Sequence, residues 1–221
     1  NQGLDLLEKD DKWVGMVLGN HGENFCAGAN VFLLLMGAQQ GAWDQVEASV
    51  KKFQDVCMRL KYSPKPVVAA PFAMTLGGGA EISMGADRIV AHADLFMGLV
   101  EVGVGLLPAG GGNKELLVRN LEGIPENVRS SINLTPYLQN AFVCIGMAKV
   151  SMSAHEATSS RFLRLSDKIV PNKEHLLGTA KRTVQAMSLE GYVAPQPRKL
   201  HLPGDPGYAT FRMVIDSMCK Q

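Results

Sequence analysis

The chain has 221 residues, 46% hydrophobic and 19% charged, with a formal net charge of +1. That length and balance describe a soluble α/β protein able to bury a core, as one large domain or one domain with a C-terminal extension. The near-neutral charge excludes the electrostatic footprint of a nucleic-acid binder, and the longest apolar run, Val31 to Ala38, is too short for a membrane-spanning helix.

In chain order, Asn1 to Asp11 is polar and acidic, unlike a signal peptide. Trp13 to Leu18 reads as a buried strand with little ahead of it to pair with, so further strands are expected to precede Asn1 in a longer polypeptide. Gly19 to Asn30 is a Gly- and Asn-rich loop. Trp43, Val46, Val50, Phe53, Cys57 and Leu60 recur at helical spacing, predicting an amphipathic helix of about five turns. Ser63-Pro-Lys-Pro66 stops it. Val67 to Ala70 is a short buried strand leading to the loop Thr75-Leu-Gly-Gly-Gly-Ala-Glu81, and Ala80 to Ala86 starts a helix.

Arg88 to Ala91 and Leu95 to Met97 read as strands, Gly103 to Gly112 as a glycine-rich loop, and a helix is expected from Asn113. Leu121 to Asn133 has weak periodicity and reads as a surface insertion. Tyr137 to Val150 and Ala154 to Arg161 are predicted helices, the second with Ser153 as N-cap. A strand over Asp167 to Val170 ends at Pro171, and Glu174 to Leu189 has helical spacing. Ala194 to Pro206 carries four prolines and reads as a semi-rigid linker before a last helix, Tyr208 to Met218. The expected division is a core over residues 1–170 and a C-terminal helical region over 171–221.

Thr75 to Glu81 is the most informative segment. Three consecutive glycines let the backbone turn sharply and approach a ligand with no Cβ between. The first N–H groups of the following helix have no intrahelical partner and sit at the positive end of its dipole. Such a place suits an anion, or an oxygen that becomes anionic during a reaction. Glu81 follows Gly78 by about one turn. A second loop, Phe25-Cys-Ala-Gly-Ala-Asn30, also has small residues at its tip, and two such loops can supply the paired N–H donors of an oxyanion hole. In a third segment, Met97 to Gly103, Glu101 stands between Val100 and Val102, where apolar surroundings raise a carboxyl pKa toward values useful for acid–base work. Taken singly, each piece has a plain reading: a tight turn, a first-turn carboxylate, a solvated turn residue. Their joint occurrence points to catalysis.

Other candidates fall away. Gly103-Val-Gly105 resembles a dinucleotide fingerprint but has Pro108 where the third glycine belongs. Ser83 and Ser130 lack a nucleophile elbow. His21, His92, His155, His175 and His201 are scattered. Cys26, Cys57, Cys144 and Cys219 have no metal-type spacing and read as reduced thiols of a cytoplasmic protein, so no metal site is expected.

Lys65-Pro-Val-Val-Ala-Ala70, Leu76-Gly-Gly-Gly-Ala-Glu81, Met97-Gly-Leu-Val-Glu101 and Leu107-Pro-Ala-Gly-Gly111 occur in order, with Phe25 to Asn30 upstream. From about Trp13 to Val170 the chain resembles the crotonase (enoyl-CoA hydratase/isomerase) superfamily. Val100 to Pro108, Gly110 to Leu116 and the Pro-rich tail are similar to a bacterial subgroup in which this domain is the C-terminal part of a multifunctional fatty-acid oxidation protein, behind an NAD-dependent 3-hydroxyacyl-CoA dehydrogenase.

The resemblance implies an α/β spiral of ββα units, usually assembled as trimers, with a CoA thioester as substrate and no cofactor in this chain. NAD is expected only for the dehydrogenase part, whose domains this one would contact. It implies Ala29 and Gly78 as oxyanion-hole donors, with Ala27, Gly28, Asn30 and Gly77 around the substrate. Asn30 replaces the aspartate common at its place. Glu81 and Glu101 match the two hydratase glutamates, with their division of labour open. Hydration of a trans-2-enoyl-CoA is the leading expectation. An enoyl-CoA isomerase and a non-catalytic acyl-CoA-binding or assembly module are the alternatives.

Overall fold

The computed structural model describes residues 2–218, so Cys219 lies outside the described residues. The chain opens with α1 (Gln2–Lys9), a helix the sequence reading did not anticipate. Leu4 and Leu7 are buried on one of its faces, while Asp5 and Glu8 pair with Arg59 at 2.7 and 3.0 Å. The strand expected from Trp13 begins only at β1 (Met16–Leu18). Trp13 and Val14 are exposed, and Gly15 passes against Pro66 and Val184 where a side chain has no room. The apolar run becomes α2 (Val31–Gln39) with no buried residue. The long amphipathic helix is α3 (Trp43–Lys61), its apolar face turned inward at Cys57 and Leu60.

Next come β2 (Val67–Ala69) and β3 (Ala73–Leu76). The sequence reading took Val67 to Ala70 to lead straight into the glycine loop. Instead Pro71, lacking an N–H, breaks the ladder and the chain enters a second sheet before reaching the glycines. Then α4 (Gly78–Gly85) begins at Gly78, earlier than the Ala80 start expected. The same pattern follows in β4 (Arg88–His92), β5 (Leu95–Gly98), a 3-10 turn over Glu101–Val104, and α5 (Gly112–Asn120). After α6 (Thr135–Gly146), Val150 lies not in a helix but in β6 (Val150–Ser151), which pairs antiparallel with β5. The chain continues through α7 (Ala154–Ser159), β7 (Lys168–Val170), α8 (Leu176–Leu189) and α9 (Gly204–Met218). Ser153 caps α7, accepting from Glu156 N at 3.1 Å. Helix α9 starts inside the stretch read as linker and includes Pro206.

The strands form two sheets, ordered β1-β2-β4-β7 and β3-β5-β6. The first is parallel throughout, and β3 pairs parallel with β5. Twice, in β2-β3-α4 and β4-β5-α5, the chain gives one strand to each sheet and then a helix, the ββα repeat. Val67, Val68 and Ala69 are wholly buried, as a central parallel strand covered on both faces requires. One face packs on Leu60, Met84, Leu95, Met97, Leu99 and Leu116. The other packs on Leu176, Ala180 and Val184 of α8. Each buried Leu, Val or Met side chain among these contributes roughly 1.5–3 kcal/mol.

Leu121 to Asn133 is less superficial than its composition suggests. Leu121 is fully buried beside Leu134 and Leu138, and Arg129 holds the Leu121 and Ile124 carbonyls. Phe142 stacks on Phe211 at 4.7 Å, which docks α9 on α6.

Candidate active site

The two small-residue loops meet because the first behaves as an extra strand. Phe25 N donates to Phe72 O at 3.2 Å, Cys26 N to Met74 O at 2.9 Å, and Leu76 N to Cys26 O at 2.9 Å. Asn24 Oδ1 accepts from Met74 N at 3.1 Å. These bonds lay Cys26 beside Thr75 and carry Ala27 to Asn30 alongside Leu76 to Gly78. Gly77 then turns with φ +52°, a left-handed value that glycine adopts without strain. A Cβ there would stand 3.8 Å from Gly28 Cα and 3.1 Å from Glu101 Oε1. At Gly79 a Cβ would come within 2.5 Å of Cys26 Cβ, so the loops touch only because that residue has no side chain.

The contact leaves two donors available. Gly78 is the first residue of α4, and its N–H has no intrahelical acceptor. Among the described residues neither Gly78 N nor Ala29 N donates to a backbone or side-chain acceptor. Ala27 and Ala29 are exposed, and Gly28 is half-buried at φ +105°. Asn30 serves as the N-cap of α2, its Oδ1 accepting from Leu33 N at a long 3.4 Å.

Both glutamates come to the same place. Glu81, in the first turn of α4, is 4% exposed, and its Oε1 accepts from Gly112 N at 2.8 Å. Burial pushes its pKa up. The Gly112 N–H opposes that rise, and the charge of Glu101 adds to it. Glu101, in the first position of the 3-10 turn, is half-buried with Oε1 beside Gly77 and Oε2 buried without a partner. Burial raises its pKa as well. Two carboxyls whose pKa values are raised by burial thus stand next to two N–H donors without an acceptor, groups suited to acid–base work beside an oxygen that gains charge.

Sequence reasoning missed the third party to this site. Gly110 to Gly112 read only as a glycine-rich loop, yet it is the N-terminus of α5 and its N–H groups face Glu81. The signal was present: a glycine run opening a helix, the same pattern that singled out Gly77 to Gly79. His92 is structural, its ring lying between the Asp94 and Pro171 carbonyls. Cys26, Cys57 and Cys144 are free thiols. A cleft of about 500 Å³ lies elsewhere, between α5 and residues 192–200. Its charges are largely spent on one another, as in Lys61–Glu115 at 2.8 Å and the Arg164–Glu122 pair.

Two stacked sheets wound by ββα units, with paired N–H donors at the turn between them, define the crotonase fold. Solved structures agree. The enoyl-CoA hydratase from Polaromonas sp. JS666 superposes with TM-score 0.66 at 21% identity, covering 85% of this chain and 64% of that one. An enoyl-CoA hydratase from Bacillus anthracis gives 0.65 at 23%, covering 85% and 63%. The family model for enoyl-CoA hydratase/isomerase matches residues 1–124, and the chain belongs to that family.

Among curated relatives, the probable 3-hydroxyacyl-CoA dehydrogenase of Bacillus subtilis (strain 168) is 42% identical over 99% of this chain and 26% of its own length. A putative fatty acid oxidation complex trifunctional enzyme of Rickettsia felis is 34% identical over 77% of this chain and 24% of its own. The chain thus spans about a quarter of the length of these relatives. Among the described residues no helix is long and apolar enough to cross a membrane.

Proposed function

We propose that this chain is the enoyl-CoA hydratase module of a cytoplasmic, multifunctional fatty-acid oxidation protein, adding water to a trans-2-enoyl-CoA to give a 3-hydroxyacyl-CoA. The observation that carries the reading is the placement of Glu81 and Glu101, both with raised pKa, around the Gly77–Gly78 turn whose N–H is unused. In this reading the thioester carbonyl oxygen accepts from Ala29 N and Gly78 N. Those donors draw charge onto the oxygen, make C3 electrophilic and stabilise the enolate that forms as water adds. Ala27, Gly28, Asn30 and Gly77 flank the thioester.

The Glu81 carboxylate accepts an N–H that favours its charged form. It takes a proton from water as the oxygen bonds to C3. Glu101, whose Oε2 is buried without a partner, gives its proton to C2. Exchange with solvent returns the pair to its starting state. Hydration needs no cofactor here, and NAD would serve only a dehydrogenase part of the longer polypeptide. The exposed apolar face of α2, with Phe32 and Leu33 each 64% exposed, supports assembly with further copies.

The test is hydration of crotonyl-CoA and longer trans-2-enoyl-CoA substrates, followed by loss of the conjugated thioester absorbance. Glu81→Gln and Glu101→Gln are each expected to lower kcat by about 10²-fold or more. No water addition with both glutamates intact overturns the reading, and 3-enoyl-CoA turnover in its place identifies an isomerase. Unchanged turnover of the full-length protein carrying both substitutions identifies a binding or assembly module.

A further inference from the structure

Two adjacent side chains of α3 converge on the turn that holds Glu81, though neither has reactive chemistry. Phe53 Cζ, Cε1 and Cε2 lie 3.1, 3.6 and 3.8 Å from the point where a Cβ on Gly78 would stand. Its Cε1 and Cδ1 lie 2.1 and 2.6 Å from the corresponding point on Gly110, a point itself 2.7 Å from Glu81 Oε2. One ring therefore fills the space bounded by the oxyanion glycine, the α5 turn and the glutamate. The next residue, Gln54, donates from Nε2 to Ala109 O at 2.9 Å, one residue ahead of Gly110. Two residues beyond Gly110, Gly112 N donates to Glu81 Oε1 at 2.8 Å.

We propose that Phe53 and Gln54 are positioning residues for the hydration reaction: they clamp the Ala109–Gly112 turn against Gly78, hold the Gly112 N–H on Glu81 and keep water from that side of the carboxylate. The proposal rests on the hydratase reading. Packing alone accounts for the ring but not for Gln54, whose amide reaches a loop carbonyl 55 residues away. The two contacts act on the acid–base group with opposite sign. The ring excludes water and disfavours the charged form, whereas the tethered N–H favours it.

The other titratable groups near Glu81 come from the elements packed around it. Glu101 acts from the 3-10 turn, and Cys57 from α3, its thiol pushed up to about 12 by burial and by the Glu81 charge. From the first turn of α5, Lys114 and Glu115 are engaged with each other at 3.4 Å, and Glu115 with Lys61 at 2.8 Å. None of the three variants below alters these groups.

The experiment measures kcat and KM for crotonyl-CoA against pH in the wild type, Gln54→Met, Phe53→Ala and the conservative Phe53→Leu. Losing the Gln54 tether loosens the Gly112 N–H, so the acidic limb of the profile moves to higher pH. Phe53→Ala admits water to Glu81, so the limb moves to lower pH, and Phe53→Leu restores it in part. Gln54→Met is expected to lower kcat by up to about 10²-fold with KM little changed, the scale of a displaced catalytic group.

Profiles that superimpose on the wild type, or losses that only track thermal stability, overturn the proposal. A carboxyl ¹³C NMR titration of Glu81 in the same variants reads the opposite shifts without any turnover. If the wild type hydrates nothing, the hydratase reading fails, and this titration alone upholds or overturns the clamp.

Discussion

Gly79→Ala separates the integrity of the fold from the geometry of the two donor loops. The new Cβ would lie 2.5 Å from Cys26 Cβ, 3.0 Å from Cys26 Sγ and 3.3 Å from Cys26 O. Carbon atoms pack at about 3.5–4.0 Å, so the two segments must part by about 1 Å. Helix α4 is largely buried and its Gly79 carbonyl is held by Ser83 Oγ at 2.8 Å, whereas Ala27 and Ala29 are exposed. The loop therefore yields, and the Ala29 N–H moves away from Gly78. The substitution gains about 1 kcal/mol of helix propensity and costs roughly 1–3 kcal/mol of overpacking, which leaves the chain folded. If the Ala29 N–H serves the thioester oxygen as proposed, its loss is expected to lower kcat by about 10²–10³-fold. Adding Cys26→Gly removes the Cβ and Sγ that collide, and the double variant is expected to recover most of the loss. The assay is crotonyl-CoA hydration alongside a thermal melt. Near-wild-type activity in Gly79→Ala, or no recovery in the double variant, refutes the reasoning.

The remaining predictions test individual residues. Burial raises the Glu101 pKa, so the folded state holds that proton more tightly than the unfolded chain does. Its contribution to stability is full below the ordinary value of 4.5 and declines as pH rises through the folded value. Glu101→Gln removes that decline, so its Tm gains on the wild type between acid and neutral pH; a difference that stays flat across thermal scans rules this out. Arg119 is 1% exposed, donates to Phe162 O at 2.7 Å and Met84 O at 3.0 Å, and lies 3.7 Å from Asp167. Arg119→Met strands those groups and is expected to cost about 3–5 kcal/mol in urea unfolding. Asn30→Ala loses only a long capping bond, so stability falls by roughly 0.5 kcal/mol or less. If Asn30 flanks the thioester, KM for crotonyl-CoA rises while Tm holds; an unchanged KM removes Asn30 from the substrate site.

Much of this protein is written locally. The α3 helix is visible because its apolar residues recur at helical spacing, and β2 because a wholly buried parallel strand is a short run of Val and Ala. Gly77 to Glu81 is visible because a positive φ and a contact without Cβ demand glycine. What escaped was decided by partners. β3 is four residues long with only Thr75 fully buried, and is a strand because β5 and the Cys26 loop pair with it. β6 is two residues long and exists only through its pairing with β5. Leu121 lies in a polar stretch and is buried because α6 and Arg129 close over it.

The sequence by itself determined the chemistry on offer: two glutamates, two small-residue loops and the glycines that let them approach. Only the tertiary structure decided how those groups meet. A parallel pairing of Cys26 with Thr75 brings the loops together, and a helix N-terminus from beyond both glutamates takes hold of Glu81. Spacing along a chain specifies local backbone shape. The distance between Glu81 and the N–H that steadies it is set by how α3, α4 and α5 pack.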